Sequence, residues 1–270
     1  MKKKKVRSLA SSSCCPVLLL TNLPCPPLPP APRSQDTTGL NFTRLRYPQD
    51  SRTDCWFCLA SPTCEKHLIV SVGELAYVCQ PKGPICDSHS LIVPVAHEDR
   101  GALCDTAASE VQDLKRKLAE HAKNEGKELF VFERAIQTKG GYHSHVQCIP
   151  LLPGAARKLA EVVKHATMKL GVKMRELQND IAMKTIVDSV DGAEGYFYME
   201  IPSVSGTSTR MLYVQEKGER TNKIPIQFGR ELAAVAMSEP EKSHWKACVM
   251  DKEGESALAL KFRESFEKLV

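Results

Sequence analysis

The sequence predicts an α+β fold, on three observations. Runs rich in β-branched and aromatic residues, at His67–Val72, Leu75–Cys79, Ser90–Val95 and Leu129–Arg134, have the length and composition of strands. Longer stretches after Asp105 and after Gly154 carry apolar residues three or four apart, the spacing of an amphipathic helix. No internal repeat orders the chain, so a solenoid or propeller is not expected.

Each element has its own signal. Gly73 breaks the first apolar stretch into two strands, and the third strand ends at the Pro94–Val95 step. Val111, Leu114, Leu118 and Ala122 define one face of a first helix, and Gly126 stops it. Leu159, Val162, Val163, Ala166 and Leu170 define a second, which opens after Pro153-Gly154 and ends at Gly171. Gly195–Ile201 and Met211–Gln215 read as a strand pair joined by the Ser- and Gly-rich loop Ser203–Ser208. Phe228–Met237 is a further helix. The last, Glu255–Leu269, aligns Leu258, Phe262, Phe266 and Leu269. A composition seam at Pro150–Gly154 divides the folded part into a first domain over 41–152 and a smaller α+β domain over 153–270.

Residues 1–40 have a different texture. Four lysines at Lys2–Lys5, a Ser11–Ser13 tract and six prolines between Pro24 and Pro32 favour an extended, unpacked segment. The run Lys2–Arg7 resembles a nuclear localisation patch, while the acid-free start also suits an organellar transit peptide. The first 35 residues carry +6 of the chain's net +5, so the remaining 235 are close to neutral at about −1. Bulk charge therefore gives no reason for the folded part to coat nucleic acid, and any RNA contact needs a local patch. Eleven cysteines, an odd number without a regular framework, fit a reducing compartment. No apolar run approaches the ~20 residues of a membrane span.

The chemistry concentrates around Gly140-Gly141-Tyr142-His143-Ser144-His145-Val146-Gln147. On an extended strand His143, His145, Gln147 and Ile149 share one face. Polar groups in a row are costly to bury without partners, and so suit a site; the bland alternative is a half-exposed strand with chance histidines. Upstream, Cys55-Trp56-Phe57-Cys58 has the spacing with which two thiolates bind one zinc, although two more ligands are needed.

One further segment changes the weight of these motifs. His89-Ser90-Leu91-Ile92-Val93-Pro94-Val95-Ala96-His97, followed by His143-x-His145-x-Gln147, resembles the histidine-triad superfamily, in which a small antiparallel sheet packs with a long helix. Gln147 in the third triad position is similar to the uridylyltransferase branch. The stretch Cys55–Pro62 with Glu65–Val70 resembles the start of the CwfJ-type family. Pro225-Ile226-Gln227-Phe228-Gly229-Arg230-Glu231 and Trp245-Lys246-Ala247-Cys248 are similar to the second domain of those proteins. Some members also carry a phosphoesterase-like region that has no counterpart here, which would make this a short or incomplete member.

The resemblance implies specific roles. Cys55, Cys58, His97 and His143 would form a structural zinc site that clamps a folded sheet, against the alternative of free cysteines. His145 matches the nucleophile of a nucleotidyl-histidine mechanism. Gln147 would donate to a phosphate oxygen but has no proton to give as an acid. His89 is read as structural. Lys82 and Lys139, beside Gly83 and the Gly140-Gly141 pair, are candidates for phosphate contacts, because glycine lets a ligand approach the backbone. CwfJ-type proteins are associated with late spliceosomes, with intron-lariat turnover and with the debranching enzyme. The expected partners are therefore RNA, spliceosomal proteins and that enzyme, in the nucleus. Two readings of the pocket stay open: recognition of an RNA phosphodiester or nucleotide phosphate without turnover, and active nucleotidyl hydrolysis or transfer.

Overall fold

The computed structural model of the chain describes residues 54–97, 101–103, 107–136, 142–178, 183–190, 192–203, 206–218 and 224–269. The N-terminal basic cluster and proline run, and Lys139, Gly140 and Gly141, lie outside them. The described residues all fall in one compact unit.

They build an α+β fold on one antiparallel sheet. Its strands are β1 (Ile69–Val72), β2 (Ala76–Cys79), β3 (Ser90–Pro94), β4 (Glu128–Ile136), β5 (Val146–Leu151), β6 (Arg175–Leu177), β7 (Gly195–Ile201) and β8 (Thr209–Gln215). Their order across the sheet is β1-β2-β3-β5-β4-β7-β8-β6. The helices are α1 (Ala108–Asn124), α2 (Pro153–Leu170), the short α3 (Met183–Asp188), α4 (Phe228–Ala236) and α5 (Lys252–Phe266).

β4 is the hinge of the architecture. It pairs with β5 through Glu128↔Leu151 to Glu133↔Val146, and on its other edge with β7 through Val131↔Glu200 to Ile136↔Gly195. The sheet thus runs without a break past the composition seam near Pro150. Period-2 alternation lets β4 fill both faces. Leu129 and Val131 join the core under α1 and α5, whereas Phe130 and Phe132 join the core under α2 and α4. A third cluster, Leu59, Ile69, Tyr77, Cys79, Leu91, Val93 and Val95, sits beneath the loop that follows Cys55.

Helix boundaries follow the sequence signals closely. The inward face of α1 is Val111, Leu114, Leu118 and Ala122, as the periodicity predicts, with His121 added. α2 has Pro153 in its first turn and ends on Gly171 at φ 64°, a left-handed cap that glycine adopts without steric cost. α5 is rotated from its predicted stripe. Ala259, Phe262 and Phe266 face inward with the polar Glu255 and Arg263, while Leu258 is only half-buried. The two polar residues decide this rotation. Glu255 Oε2 meets His67 Nε2 at 2.9 Å, and Arg263 Nη2 donates to the Ile69 carbonyl at 2.6 Å. The C-terminal helix is thereby pinned to the first strand. The short β6 and α3 carried no clear sequence signal, at three and six residues respectively.

Gly229 shows how tightly α4 lies on the sheet. A Cβ there would meet the Phe132 ring at 2.3 Å, so only glycine lets the helix approach β4 this closely.

Candidate functional site: a two-cysteine, two-histidine cluster beside a mixed cavity

The predicted extended stretch behaves differently on its two sides. β5 begins at Val146, so His143 and His145 precede the regular ladder. Each ring engages one of its nitrogens with a backbone carbonyl. His143 Nε2 bonds the Pro94 carbonyl at 3.0 Å, and His145 Nδ1 bonds the His143 carbonyl at 3.0 Å.

Cys55, Cys58, His97 and His143 come together, with one donor atom from each lying within 4.8 Å of the others. Cys58 Sγ is 3.2 Å from His97 Nδ1 and 3.7 Å from His143 Nδ1, and Cys55 Sγ is 3.4 Å from His143 Nδ1. Four donors at ~2.0–2.3 Å around one tetrahedral ion are separated by about 3.5 Å, so these edges fit a zinc ion. The surrounding hydrogen bonds fit too. Because His143 Nε2 donates to Pro94, its Nδ1 presents a lone pair to the two sulfurs. The Phe57 amide donates to Cys55 Sγ at 3.4 Å. Burial pushes the His143 imidazole down to about 4, which keeps it neutral as a ligand must be. Tyr77 Oη holds the loop on the sheet by donating to the Phe57 carbonyl at 2.7 Å.

His145 and Gln147 turn away from that cluster and line a cavity of about 650 Å³. Phe57 flanks the His145 ring at 5.1 Å between centroids and Tyr142 at 5.8 Å. Burial lowers the His145 imidazole below its ordinary range. With Nδ1–H donated to the His143 carbonyl, Nε2 keeps its lone pair.

Lys82 also lines the cavity, and its ammonium is paired with Glu65 Oε1 at 2.8 Å. The neighbouring Gly83, at φ 62°, is closed against the chain itself: a Cβ would meet the Trp245 carbonyl oxygen at 2.2 Å. Glycine thus admits a protein segment at this point. His89 lines the same cavity, 1% exposed, with burial pushing its imidazole down to about 3.

Sequence reasoning did not place Trp56, Gln80, Gln227, Arg230 or Trp245 at the site, yet all five line the cavity. Three of them lie in the two C-terminal signatures, Gln227 and Arg230 in the first and Trp245 in the second. The signal was in hand, and its spatial meaning was not.

Comparisons with known proteins identify the family. A family profile described as "Protein similar to CwfJ C-terminal" matches residues 44–164. CWF19-like protein 1 of Mus musculus is 32% identical over 238 residues, covering 86% of this chain and 42% of that protein. Its Homo sapiens counterpart is 33% identical over 220 residues, covering 79% of this chain and 38% of that protein. The chain belongs to the CwfJ/CWF19-type family. Zinc finger CCCH domain-containing protein 64 of Arabidopsis thaliana is similar as well, 33% identical over 226 residues, covering 80% of this chain and 35% of that protein. This CwfJ-type chain therefore spans about two fifths of the length of the curated relatives it matches. No helix among its described residues is long and apolar enough to cross a membrane.

Proposed function

We propose that this CwfJ-type chain serves mRNA splicing, at the late spliceosome and in intron-lariat turnover, with a histidine-triad-like pocket that recognises an RNA phosphodiester or nucleotide phosphate. The observation that carries the reading is the single cavity that gathers His145, Gln147 and Lys82 beside the cysteine–histidine cluster. The family supports the splicing assignment. RNA, spliceosomal proteins and the lariat debranching enzyme are the proposed partners, and the nucleus the proposed compartment. We assign zinc to Cys55, Cys58, His97 and His143 on the donor spacing. The CCCH named in the Arabidopsis relative is a different donor set and adds little. When bound, the ion would supply a fixed charge and a rigid clamp. His143 would then hold the start of β5 so that His145 and Gln147 face the cavity. Lys139, Gly140 and Gly141 stay proposed phosphate contacts.

A second reading, active nucleotidyl hydrolysis or transfer, is favoured by the His145 tautomer. Its Nε2 lone pair is free to form a P–N bond as the P–O bond to the leaving group breaks. Gln147 has no acidic proton to give the departing oxygen, so a phosphate leaving group suits this site better than an alkoxide. Water would then attack the phosphorus and regenerate the imidazole.

Labelled adenylylated and branched RNAs, mixed with the pure protein, separate the readings. Tight binding without release of label is expected for recognition. Turnover or a covalent histidine adduct, abolished in His145→Ala, would favour the enzyme. Neither binding nor turnover with any phosphoester would sink both.

A further inference from the structure

Arg230 lies in the first turn of α4 and is only 4% exposed. Its Nε donates to the Lys242 carbonyl at 2.8 Å and its Nη2 to Cys248 Sγ at 3.2 Å. Among the described residues no carboxylate pairs with it, and the acidic groups that act on it are the thiols of Cys248 and Cys86. A buried guanidinium is costly unless an anion answers its charge. This one lines the cavity that holds His145 and Gln147.

The donors around it have the same imbalance. His89 Nδ1 accepts from the Ile85 amide at 3.3 Å, so its Nε2 carries the hydrogen. That buried Nε2 points to the Gln147 side chain without the geometry of a completed hydrogen bond. The N-terminal end of α4, at Ile226 and Gln227, forms part of the same wall and adds the positive end of a helix dipole. A buried cation, a buried N–H donor and a helix N-terminus thus meet in one cavity, and no carboxylate answers the Arg230 charge among the described residues.

The rim has a different chemistry. Trp56 is 64% exposed, and Trp245 carries the Lys246 ammonium 5.9 Å from its ring centre. Both indoles line the cavity. One exposed indole and one half-buried indole next to a cationic pocket suit stacking by a nucleobase whose phosphate is held below.

We propose that Arg230 is the phosphate-binding residue of this cavity, and that the ligand is a nucleotide unit of single-stranded RNA, its base stacked at the tryptophan rim. The proposal rests on the phosphate-pocket reading above and adds to it a residue from the C-terminal half of the chain. It also gives that half a direct role in ligand choice: the first half supplies the histidine, and the second supplies the countercharge.

The test compares adenosine with AMP, and a single-stranded RNA pentamer with and without a terminal phosphate, by calorimetry on the full chain. The wild type is expected to prefer the phosphorylated ligand by at least about tenfold, as a charge-assisted contact implies. Arg230→Met should bring that preference to within about twofold; an equal loss for adenosine and AMP would mark a merely structural role and overturn the inference. Arg230→Lys should fall between the wild type and Arg230→Met. An Arg230→Met protein that keeps the wild-type preference overturns the inference and leaves the pocket reading standing. A wild type that binds none of these ligands overturns the pocket reading itself. Should Arg230→Met fail to fold, the guanidinium ¹⁵N signals of the wild-type protein decide the matter. A shift of the Arg230 resonance with AMP and not with adenosine supports the assignment, and no shift overturns it.

Discussion

Among the residues buried away from the cavity, Glu133 couples the fold most directly to pH. It is fully buried on β4, where its carboxylate accepts from Tyr196 Oη at 2.6 Å and from the Ala102 amide at 2.5 Å. Gly101 makes room for this arrangement, since a Cβ there would meet the Tyr196 hydroxyl at 2.2 Å. The donors favour the charged form, but burial wins and raises the carboxyl from 4.5 to about 7. The Tyr142 hydroxyl is in turn pushed up by burial first and then by the Glu133 charge. Between pH 4.5 and 7 the folded chain holds a proton that the unfolded chain has lost. Stability is therefore fully present below about pH 4.5 and declines as pH rises through about 7, by about 3 kcal/mol for this one group. Urea midpoints of the wild type and Glu133→Gln across that window check it. The variant should lack this part of the slope, and an unchanged slope would remove Glu133 as its source.

At the scale of elements, the cysteine–histidine cluster ties the loop at 55–58 to the ends of two neighbouring strands, at the residue three beyond β3 and at the approach to β5. Chelating the proposed ion should loosen all three while leaving β4, β7 and β8 intact. Elemental analysis should find about one zinc per chain, lost in Cys58→Ala, and hydrogen exchange should speed up in the loop and at 142–147 before it does in β7. Metal-free protein with unchanged protection there would defeat the assignment.

Much of this element pattern could be read from the sequence. The α1 face, the α2 ends and the β7–β8 pair follow from periodicity and from Gly126, Pro153 and Gly171. Cys55, Cys58, His97 and His143 could be named as a set through the resemblance that links them. The start of β5 could not, because the imidazoles of His143 and His145 bond carbonyls in place of a ladder. Nor could the rotation of α5, which is set by His67 and the Ile69 carbonyl, both far away in sequence. Arg230 was hidden for a similar reason. Its environment is made by residues from 86 to 248, and no local pattern records that they meet.

At the scale of the molecule, α5 closes the fold onto its first described strand. Phe262 and Phe266 pack with Val70, Val78 and Leu118 in the core beneath α1 and α5, and the helix crosses the 66–68 turn. Phe266 is fully buried, so Phe266→Ala removes a large side chain from a site with little room to collapse. The expected loss is about 3–5 kcal/mol, read as a lowered urea midpoint with an unchanged slope. A loss under about 1 kcal/mol would mean that the C-terminal helix contributes little to holding β1 in place.

The cavity wall that Gly83 and Trp245 close together has an evolutionary consequence. Its two sides come from stretches far apart in the gene, so a substitution near Trp245 alters the shape of the opening without touching the strand that carries His145 and Gln147. A change at the rim residues Trp56 or Trp245 would then tune which ligands enter, with the histidine strand keeping its own residues. Lineages would acquire new preferences by editing the rim and leaving the floor alone.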